Sequence, residues 1–443
     1  MPAQQTITRS LNRIVFSGRL NAEAIPLLLA TLRAAIDSGF EDFILDFSEC
    51  NNAYTNGMVP LAALASDWRL KGFEFDLVLP RANKIARLFE NTGLAHFIVP
   101  KVFSPSTFHG IQHKPIKVFH SHHDQVHLVY AFMDIILKST TLSREILAGL
   151  EWSLNEVMDN VANHAKAPAG GFASLTTLND SVSFTVADAG MGVLASLKEG
   201  YPNLANDTEA LGEAIKAGVT RNKQFGQGNG LAGTLNIATN SGGSFSISSG
   251  RGRLNVFHDP NTSVLVARRP VCSTFQRFEG TIVDVQIQKS PTFKVSEALG
   301  FTGMIGGLFD VIEAKYETAT GKEFMIKLAS ETTGFGSRGA GLQIRNKCLN
   351  ILNADQNNPL ILDWTGVPVI SSSFADEAIG KLFVELGPLN FSARVRNIGI
   401  EPLVRGLIEK AILQRASEVS QHFTQGNKAL ENMKDASEHP SSQ

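Results

Sequence analysis

The sequence predicts a multidomain protein of mixed α/β and α+β class, with a central α/β sandwich between two small α/β domains. Three observations support this prediction: the length of 443 residues, the alternation of strand-like and helix-like segments at both ends, and a middle third in which helices precede strands. One hydrophobic core rarely organises more than about 250–300 residues, so we expect two or three domains. The 43% hydrophobic and 19% charged residues are typical of a globular chain.

The first region, residues 1–104, is predicted to be a small α/β domain. Short apolar runs such as RIVF and FILDF alternate with helix-length amphipathic segments such as AEAIPLLLATLRAAI and MVPLAALASDWRL, a pattern typical of strands layered against helices. Residues 105–124 contain two prolines and several histidines. They interrupt the alternation, so we interpret them as a linker or an edge segment.

The middle region, residues 125–289, opens with two helical segments. In the second, REILAGLEWSLNEVMDNVANHA, apolar residues recur every three or four positions and form one stripe. The run SVSFTVA alternates strictly and predicts a half-buried strand, and further strand-like runs follow it. Helices followed by mostly antiparallel strands indicate an α+β arrangement.

The third region, residues 290–418, returns to alternating strands and helices, among them a helix around GMIGGLFDVIEAKY and a strand ARVRNI. Its run LDWTG echoes LDFSE in the first region, since each is a strand that ends in Asp and precedes a polar loop and a helix. Residues 419–443 are polar and predicted to be disordered.

The first candidate motif lies on the second helix of the middle region. Glu156 and Asn160 are four residues apart, so both side chains project from one face. A carboxylate can orient or deprotonate a water, and an amide oxygen can coordinate a hard cation such as Mg²⁺. Taken alone, the pair is also compatible with two solvated polar residues on an amphipathic helix.

The second candidate motif is VADAGMGV, a strand that ends in Asp188 and is followed by Gly190 and Gly192. A carboxylate at a strand end can accept a hydrogen bond from an exocyclic amine, and the glycines let the backbone approach a flat base. An ordinary turn is the alternative.

The third candidate motif is GQGNGLAG, which places Gly226, Gly228, Gly230 and Gly233 before a helical segment. Closely spaced glycines at a helix N-terminus present backbone N–H groups to an anion, so the motif predicts a phosphate-binding loop. A glycine-rich loop that binds no ligand is the alternative.

In this order, NEVMDNVANHA, DAGMG and GQGNGLAG resemble the asparagine box and the two glycine boxes of the GHKL superfamily, which includes histidine kinases, anti-sigma serine kinases, the DNA gyrase B subunit and MutL. The resemblance covers roughly residues 125–288 and implies a Bergerat fold that binds ATP and Mg²⁺. It implies Glu156 as the catalytic base or water-orienting carboxylate, Asn160 as the Mg²⁺ ligand and Asp188 as the adenine contact. The remaining nucleotide-binding positions that it implies are Gly190, Gly192, Gly226, Gly228, Gly230 and Thr281.

The chain departs from this pattern at two places. Asn163 and His164 stand where many histidine kinases carry a Lys or Arg, and Arg221 or Lys223 is a candidate replacement for that charge. A hairpin over residues 251–277 is inserted before Thr281, and the sequence predicts no role for it.

Both flanking regions resemble STAS domains, which in anti-sigma antagonists carry a phosphorylated Ser or Thr at a helix N-terminus. In the first region the corresponding loop has Thr55 and Asn56 in place of the serine pair. The third region resembles the STAS-like domain of unknown function found behind such ATPases, and its loop VISSSFADEA offers Ser372 as a possible phosphoacceptor near a helix N-terminus. Capping of that helix by Ser373 or a neighbour is the alternative interpretation.

The histidines do not predict a sensor histidine kinase. No histidine with the expected acidic and basic neighbours lies on a helix before the nucleotide motifs. His120, His122 and His123 are interpreted as a solvated loop, because a full set of metal ligands is absent.

The net charge of −2 gives no reason to expect nucleic acid as a partner. Three separated cysteines indicate neither a disulfide framework nor a zinc site, and no segment predicts an export signal or a membrane span. We therefore expect a cytoplasmic regulatory protein that binds ATP and Mg²⁺, with slow ATPase or Ser/Thr kinase activity directed at STAS-like modules or a protein partner. The alternatives are a MutL- or gyrase-like clamp that dimerises on ATP and a non-enzymatic nucleotide sensor or scaffold; a homodimer is left open.

Overall fold

The computed structural model of the protein contains several sheets and two compact units, so the predicted multidomain α/β class is confirmed. The first unit comprises Met1–Ile136 and Glu145–Phe309, and the second comprises Leu137–Arg144 and Asp310–Gln443. The residues that the structure describes are 5–108, 110, 112–216, 230–258, 265–267, 271–272, 277–289, 295–299, 312, 315–319, 321–332 and 334–418.

The first unit begins with a four-stranded sheet in the order β1-β2-β3-β4. β1 is antiparallel to β2, and the other pairs are parallel. Parallel neighbours need crossover connections, and helices supply them here. We call this part, residues 5–103, the N-terminal layer; its elements are β1 (Thr6–Ser10), β2 (Arg13–Leu20), α1 (Ala24–Ile36), β3 (Asp42–Ala53), α2 (Thr55–Leu70), β4 (Glu74–Val78), α3 (Asn83–Asn91) and α4 (Leu94–Ile98).

The second sheet of the first unit is antiparallel and has the order β10-β9-β8-β12-β7-β6-β5, with β11 also paired to β9. The stretch 105–124 supplies the edge strand β5, and the insertion 251–277 supplies β9, β10 and β11. The strands are β5 (His113–Phe119), β6 (Gly171–Thr177), β7 (Ser181–Asp188), β8 (Ser244–Gly250), β9 (Gly252–His258), β10 (Leu265–Ala267), β11 (Val271–Cys272) and β12 (Phe278–Gln288).

Helix α5 begins earlier than its apolar pattern predicts, and the predicted loop is wrong for His122 and His123, which lie in its first turn. The cause is a pair of caps: Asp124 N donates to Ser121 Oγ (3.1 Å), and Asp124 Oδ2 accepts from Ser121 N (3.1 Å). The other helices of this part are α5 (His122–Ser139), α6 (Arg144–Asn160), α7 (Gly192–Lys198), α8 (Asp207–Ala214), α9 (Gly230–Asn240) and α10 (Val295–Leu299).

The N-terminal layer and the antiparallel sheet share one hydrophobic core. Every residue of α2 from Gly57 to Trp68 is buried, because the helix contacts α1, α4 and β4 of its own layer as well as β6, β7 and β12 of the antiparallel sheet. Phe172, Ala187 and Ile282 of the antiparallel sheet belong to the same cluster of buried residues as the core of the N-terminal layer. A helix that is buried on all sides holds its two neighbours together.

The second unit contains a parallel sheet of three strands in the order β13-β14-β15. One helix, Pro388–Arg394, was missed: Gly387, with φ 74°, and Pro388 start it, so the predicted strand begins only at Val395. The predicted helix around GMIGGLFDVIEAKY lies mostly outside the described residues, as does the predicted disorder of 419–443. The elements are β13 (Phe324–Lys327), α11 (Leu328–Glu331), α12 (Arg338–Ala354), β14 (Leu360–Asp363), α13 (Ser372–Ala375), a π-helical turn (Asp376–Gly380), α14 (Lys381–Leu386), α15 (Pro388–Arg394), β15 (Val395–Ile398) and α16 (402–418).

The echo between LDFSE and LDWTG has a structural counterpart. β3 and β14 each lie between two parallel neighbours. Asp46 Oδ1 accepts from Ser48 N (2.9 Å), and Asp363 Oδ1 accepts from Thr365 N (3.0 Å). Each aspartate therefore fixes the backbone two residues further on in the same way. Only Asp363 ends its strand, however: Asp46 lies within β3, which continues to Ala53, so the predicted strand end at Asp46 is wrong.

Within the described part of the chain, no helix is both long and apolar enough to cross a bilayer.

Candidate functional site

The helix with Glu156 and Asn160 lies against the start of α9, which is the end of the second glycine motif. A Cβ on Gly230 would stand 2.4 Å from Glu156 Oε2, and a Cβ on Gly233 would stand 2.2 Å from the side chain of Trp152. A side chain at position 233 would collide with the ring of Trp152 and push α9 away from α6, whereas one at position 230 would displace the carboxylate of Glu156. The glycines therefore bring the carboxylate of Glu156 to the N-terminus of α9.

The first glycine motif meets the same helix at its C-terminal end, where α6 continues into a π-helical turn, Val161–Ala165. Met191 N donates to Ala165 O (2.8 Å). A Cβ on Gly190 would stand only 2.0 Å from the same oxygen. The first glycine motif therefore contacts the end of the helix that carries Glu156 and Asn160, and Gly230 and Gly233 of the second motif contact the same helix at Glu156 and Trp152.

Asp188 is a buried carboxyl at the end of β7, with 1% of its surface exposed. Its Oδ1 accepts from Gly190 N (2.8 Å), and its partner across the sheet is Thr281 on β12. Burial raises the pKa of Asp188 to about 7, and hydrogen bonds from the backbone N–H groups of Gly190 and Thr281 act in the opposite direction. A carboxyl with this pKa changes its protonation state near neutral pH, which makes it a candidate functional group.

Sequence reasoning missed Ser249, which links three elements at this end of the sheet. Its Oγ donates to Gly280 O (2.8 Å) and accepts from Val193 N (2.9 Å). A Cβ on Gly192, whose φ is 75°, would stand 2.8 Å from the same Oγ. No pattern singled Ser249 out, because it is one of several alternating serines of β8; only its pairing opposite Thr281 distinguishes it.

The helix face with Glu156 and Asn160 carries an unusual polar environment. Burial raises the pKa of Glu156, and the nearby negative charge of Asp159 raises it further. Asn160 Nδ2 is buried and has no hydrogen-bond partner among the residues that the structure describes. An unsatisfied buried amide group is uncommon and calls for an explanation, such as a bound ligand.

The segment between the glycine motifs contains two helices that the sequence analysis did not predict. α7 and α8 pack through a small apolar cluster, and Asn206 Oδ1 caps α8 by accepting from Glu209 N (2.9 Å). Gly226 and Gly228, together with Arg221 and Lys223, lie in 217–229, outside the described residues. The buried members of the cluster are Leu197, Leu204, Ala210 and Ala214.

The histidines near the start of α5 do not form a metal centre in the described part of the chain. No group of three or more His, Cys, Asp or Glu side chains suited to a metal ion occurs among the described residues. His123 Nε2 lies 3.1 Å from His127 Nε2, and His122 Nδ1 lies 3.5 Å from Asp159 Oδ1.

A surface pocket lies at the opposite end of β6 and β7 from Asp188 and contains none of the predicted site residues. Its lining residues are Gln112, His113, Thr176, Thr177, Leu178, Asn179 and Asp180.

The loops that follow β3 and β14 differ in exposure. In the second unit Ser371 caps α13, since its Oγ accepts from Phe374 N (3.0 Å), and Ser372 is exposed in the first turn. In the N-terminal layer Thr55 Oγ1 lies 3.2 Å from Thr185 Oγ1 of β7, so this hydroxyl faces the antiparallel sheet. Capping thus falls to Ser371 rather than Ser373, and Ser372 remains accessible.

Comparison with known proteins bears on the second unit. Residues 340–405 match the family described as "STAS-like domain of unknown function (DUF4325)". The third region contains a STAS-like domain. The matched residues include β14, the loop that carries Ser371, Ser372 and Ser373, and β15. No curated protein matches the chain.

Proposed function

We propose that the first unit binds ATP with Mg²⁺ in the manner of GHKL proteins. The observation that carries this proposal is the buried carboxyl of Asp188, with its pKa near 7, at a strand end beside the first glycine motif and the C-terminal end of the helix whose Glu156 contacts Gly230 of the second motif. On this basis the protein is a regulatory ATPase or Ser/Thr kinase that acts on STAS-like modules or on a protein partner, and we place it in the cytoplasm.

The residues present fit an adenine nucleotide. Ionised Asp188 has acceptor capacity left for an exocyclic amine beside the hydrogen bond that its Oδ1 accepts from Gly190 N. Asn160 would hold Mg²⁺ through Oδ1, and its buried, unpartnered Nδ2 is then free to donate to a phosphate oxygen. Bound Mg²⁺ would neutralise charge on the phosphates. The glycines whose backbone approach we expect at the nucleotide are Gly190, Gly192 and Gly230, with Gly226 and Gly228 proposed from the sequence alone.

Glu156 is the residue that we assign to proton transfer. Its desolvated position and the neighbouring Asp159 raise its pKa, which makes its carboxylate a stronger base than an exposed glutamate. It would take a proton from an attacking water in an ATPase or from a serine hydroxyl in a kinase. Its position against Gly230 aligns it with the N-terminus of α9, where the N–H groups favour phosphate.

Ser372 supports the kinase form of the proposal. It is exposed in the first turn of α13, where the helix dipole favours a phosphate. One turn later, Asp376 is paired with Arg338 (3.2 Å) and Arg415 (2.7 Å). A phosphate on Ser372 would compete with Asp376 for these arginines.

The test is to incubate the full chain with γ-labelled ATP and Mg²⁺ and to locate the label by mass spectrometry. We expect label on Ser372 for a kinase and label only in free phosphate for an ATPase, with both lost in Glu156→Gln. Asp180→Asn is the matched control, since Asp180 lies beyond the other end of β7. ATP binding without protein labelling or phosphate release would indicate that the protein is a nucleotide sensor. The absence of ATP binding would refute the proposal.

A further inference from the structure

The strand that completes the proposed adenine pocket, β12, packs against the N-terminal layer on the face opposite the pocket. The register between β12 and β8 shifts between Phe278 and Thr281, which marks a bulge. Thr281 pairs with Asp188 and shares its face of the sheet, whereas Phe278 and Ile282 are buried in the core of the N-terminal layer. The bulge therefore carries pocket residues on one face and N-terminal-layer contacts on the other.

Two cations of the N-terminal layer converge on Glu279, inside this bulge. Arg33 Nη2 lies 2.6 Å from Glu279 Oε1, and Lys71 Nζ lies 3.4 Å from Glu279 Oε2. Lys71 is itself held by the buried carboxylate of Asp67 at 2.7 Å. The cations come from different helices, so Glu279 is clamped between α1 and the end of α2.

Gly280, the residue after Glu279, is in direct contact with the backbone of Asp188. Gly280 has a φ of 109°, and a Cβ there would stand 2.0 Å from Asp188 O. Its carbonyl oxygen accepts from Ser249 Oγ, which also accepts from the start of α7 at Val193. A shift of Glu279 cannot be absorbed before Gly280, because the chain is in direct contact with the backbone of Asp188 at that point.

We infer that Glu279 is a positioning residue through which the N-terminal layer controls nucleotide affinity within the same chain. This inference rests on the proposed function and adds the means of its regulation. Whatever loosens α1 or the end of α2 from the bulge weakens nucleotide binding, and bound nucleotide stabilises the same contacts by the same factor. A purely structural role would give only the small stability change of a partly exposed ion pair.

The first experiment measures the dissociation constant of Mg-ADP by calorimetry on the full chain. We expect Glu279→Gln and Arg33→Gln to bind about threefold to tenfold more weakly, and Arg33→Lys to recover part of the loss because it keeps the charge. Glu49→Gln is the matched control: it removes the exposed Arg81–Glu49 pair (2.5 Å) of the same layer. Wild-type affinity in Glu279→Gln would overturn the inference.

The second experiment follows amide hydrogen exchange in the protein without nucleotide. We expect the N–H groups of Gly190 and Thr281 to exchange faster in Glu279→Gln than in Glu49→Gln, because both donate to the carboxyl of Asp188. Faster exchange in a protein that binds no nucleotide would refute the proposed function and leave the coupling standing. Equal exchange in the two variants would refute the coupling.

Discussion

The protonation of Asp188 makes nucleotide affinity depend on pH. Burial raises its pKa to about 7, and protonation converts one of its two acceptor oxygens into a donor, which the exocyclic amine of adenine, itself a donor, does not favour. Affinity must therefore fall as the pH falls through 7. If only the ionised form binds, the apparent dissociation constant rises by about tenfold between pH 8 and pH 6, since the ionised fraction drops from about ten in eleven to about one in eleven.

The assay is a calorimetric titration of the full chain with Mg-ADP at pH 6, 7 and 8. Phosphate protonation also changes over this range, so Asp188→Asn serves as the reference: its amide does not titrate, and the ligand contributes equally to both proteins. We expect the dissociation constant of Asp188→Asn, divided by that of the wild type, to be largest at pH 8 and to decrease towards pH 6. A ratio that stays constant over this range would refute the assigned role of Asp188.

Three further predictions concern other parts of the site. Glu156→Gln should retain Mg-ATP binding but lower turnover by at least about a hundredfold, measured as phosphate release or protein labelling, because it removes the general base; unchanged turnover would assign Glu156 a structural role. Gly190→Ala should lower the free energy of unfolding by about 1–3 kcal/mol, since its Cβ would stand 2.0 Å from a backbone oxygen. The control is Gly339→Ala, which has open space around it and should not destabilise the protein. Equal melting temperatures for the two variants would contradict this prediction. Ser371→Ala should cost about 1 kcal/mol through the lost cap, while Ser372→Ala should leave thermal stability unchanged and remove only the label, so a destabilised Ser372→Ala would contradict the assignment.

Periodicity predicted the helices and strands that have one buried face. The apolar stripe of α6 and the alternation of β7 are both local patterns, and they gave the positions of Glu156 and Asp188 within their elements. The contact between Glu156 and Gly230 depends on residues 74 positions apart in sequence, and no local pattern carries it. The resemblance between motifs suggested that these segments meet, and the close approach at the glycines supplies the physical reason.

The remaining features depend on tertiary contacts or on caps. α2 was interpreted as an amphipathic helix, yet both its sides are buried, because the second sheet that covers it is distant in sequence. The start of α5 follows from the capping pair Ser121 and Asp124, which an apolar pattern does not register. Ser249 acquires its role only through the strand opposite it. None of these features is visible in one segment taken alone.

The central claim is that one adenine nucleotide is held between α6 and the end of β7. The most direct measurement is the binding of ATP to the full chain, titrated at pH 8 with and without Mg²⁺, in wild type, Asp188→Asn and Asp180→Asn. We predict that wild type and Asp180→Asn bind equally, that Mg²⁺ tightens their binding, and that Asp188→Asn binds at least about tenfold more weakly. Equal binding by all three proteins, or binding by none of them, would contradict the claim.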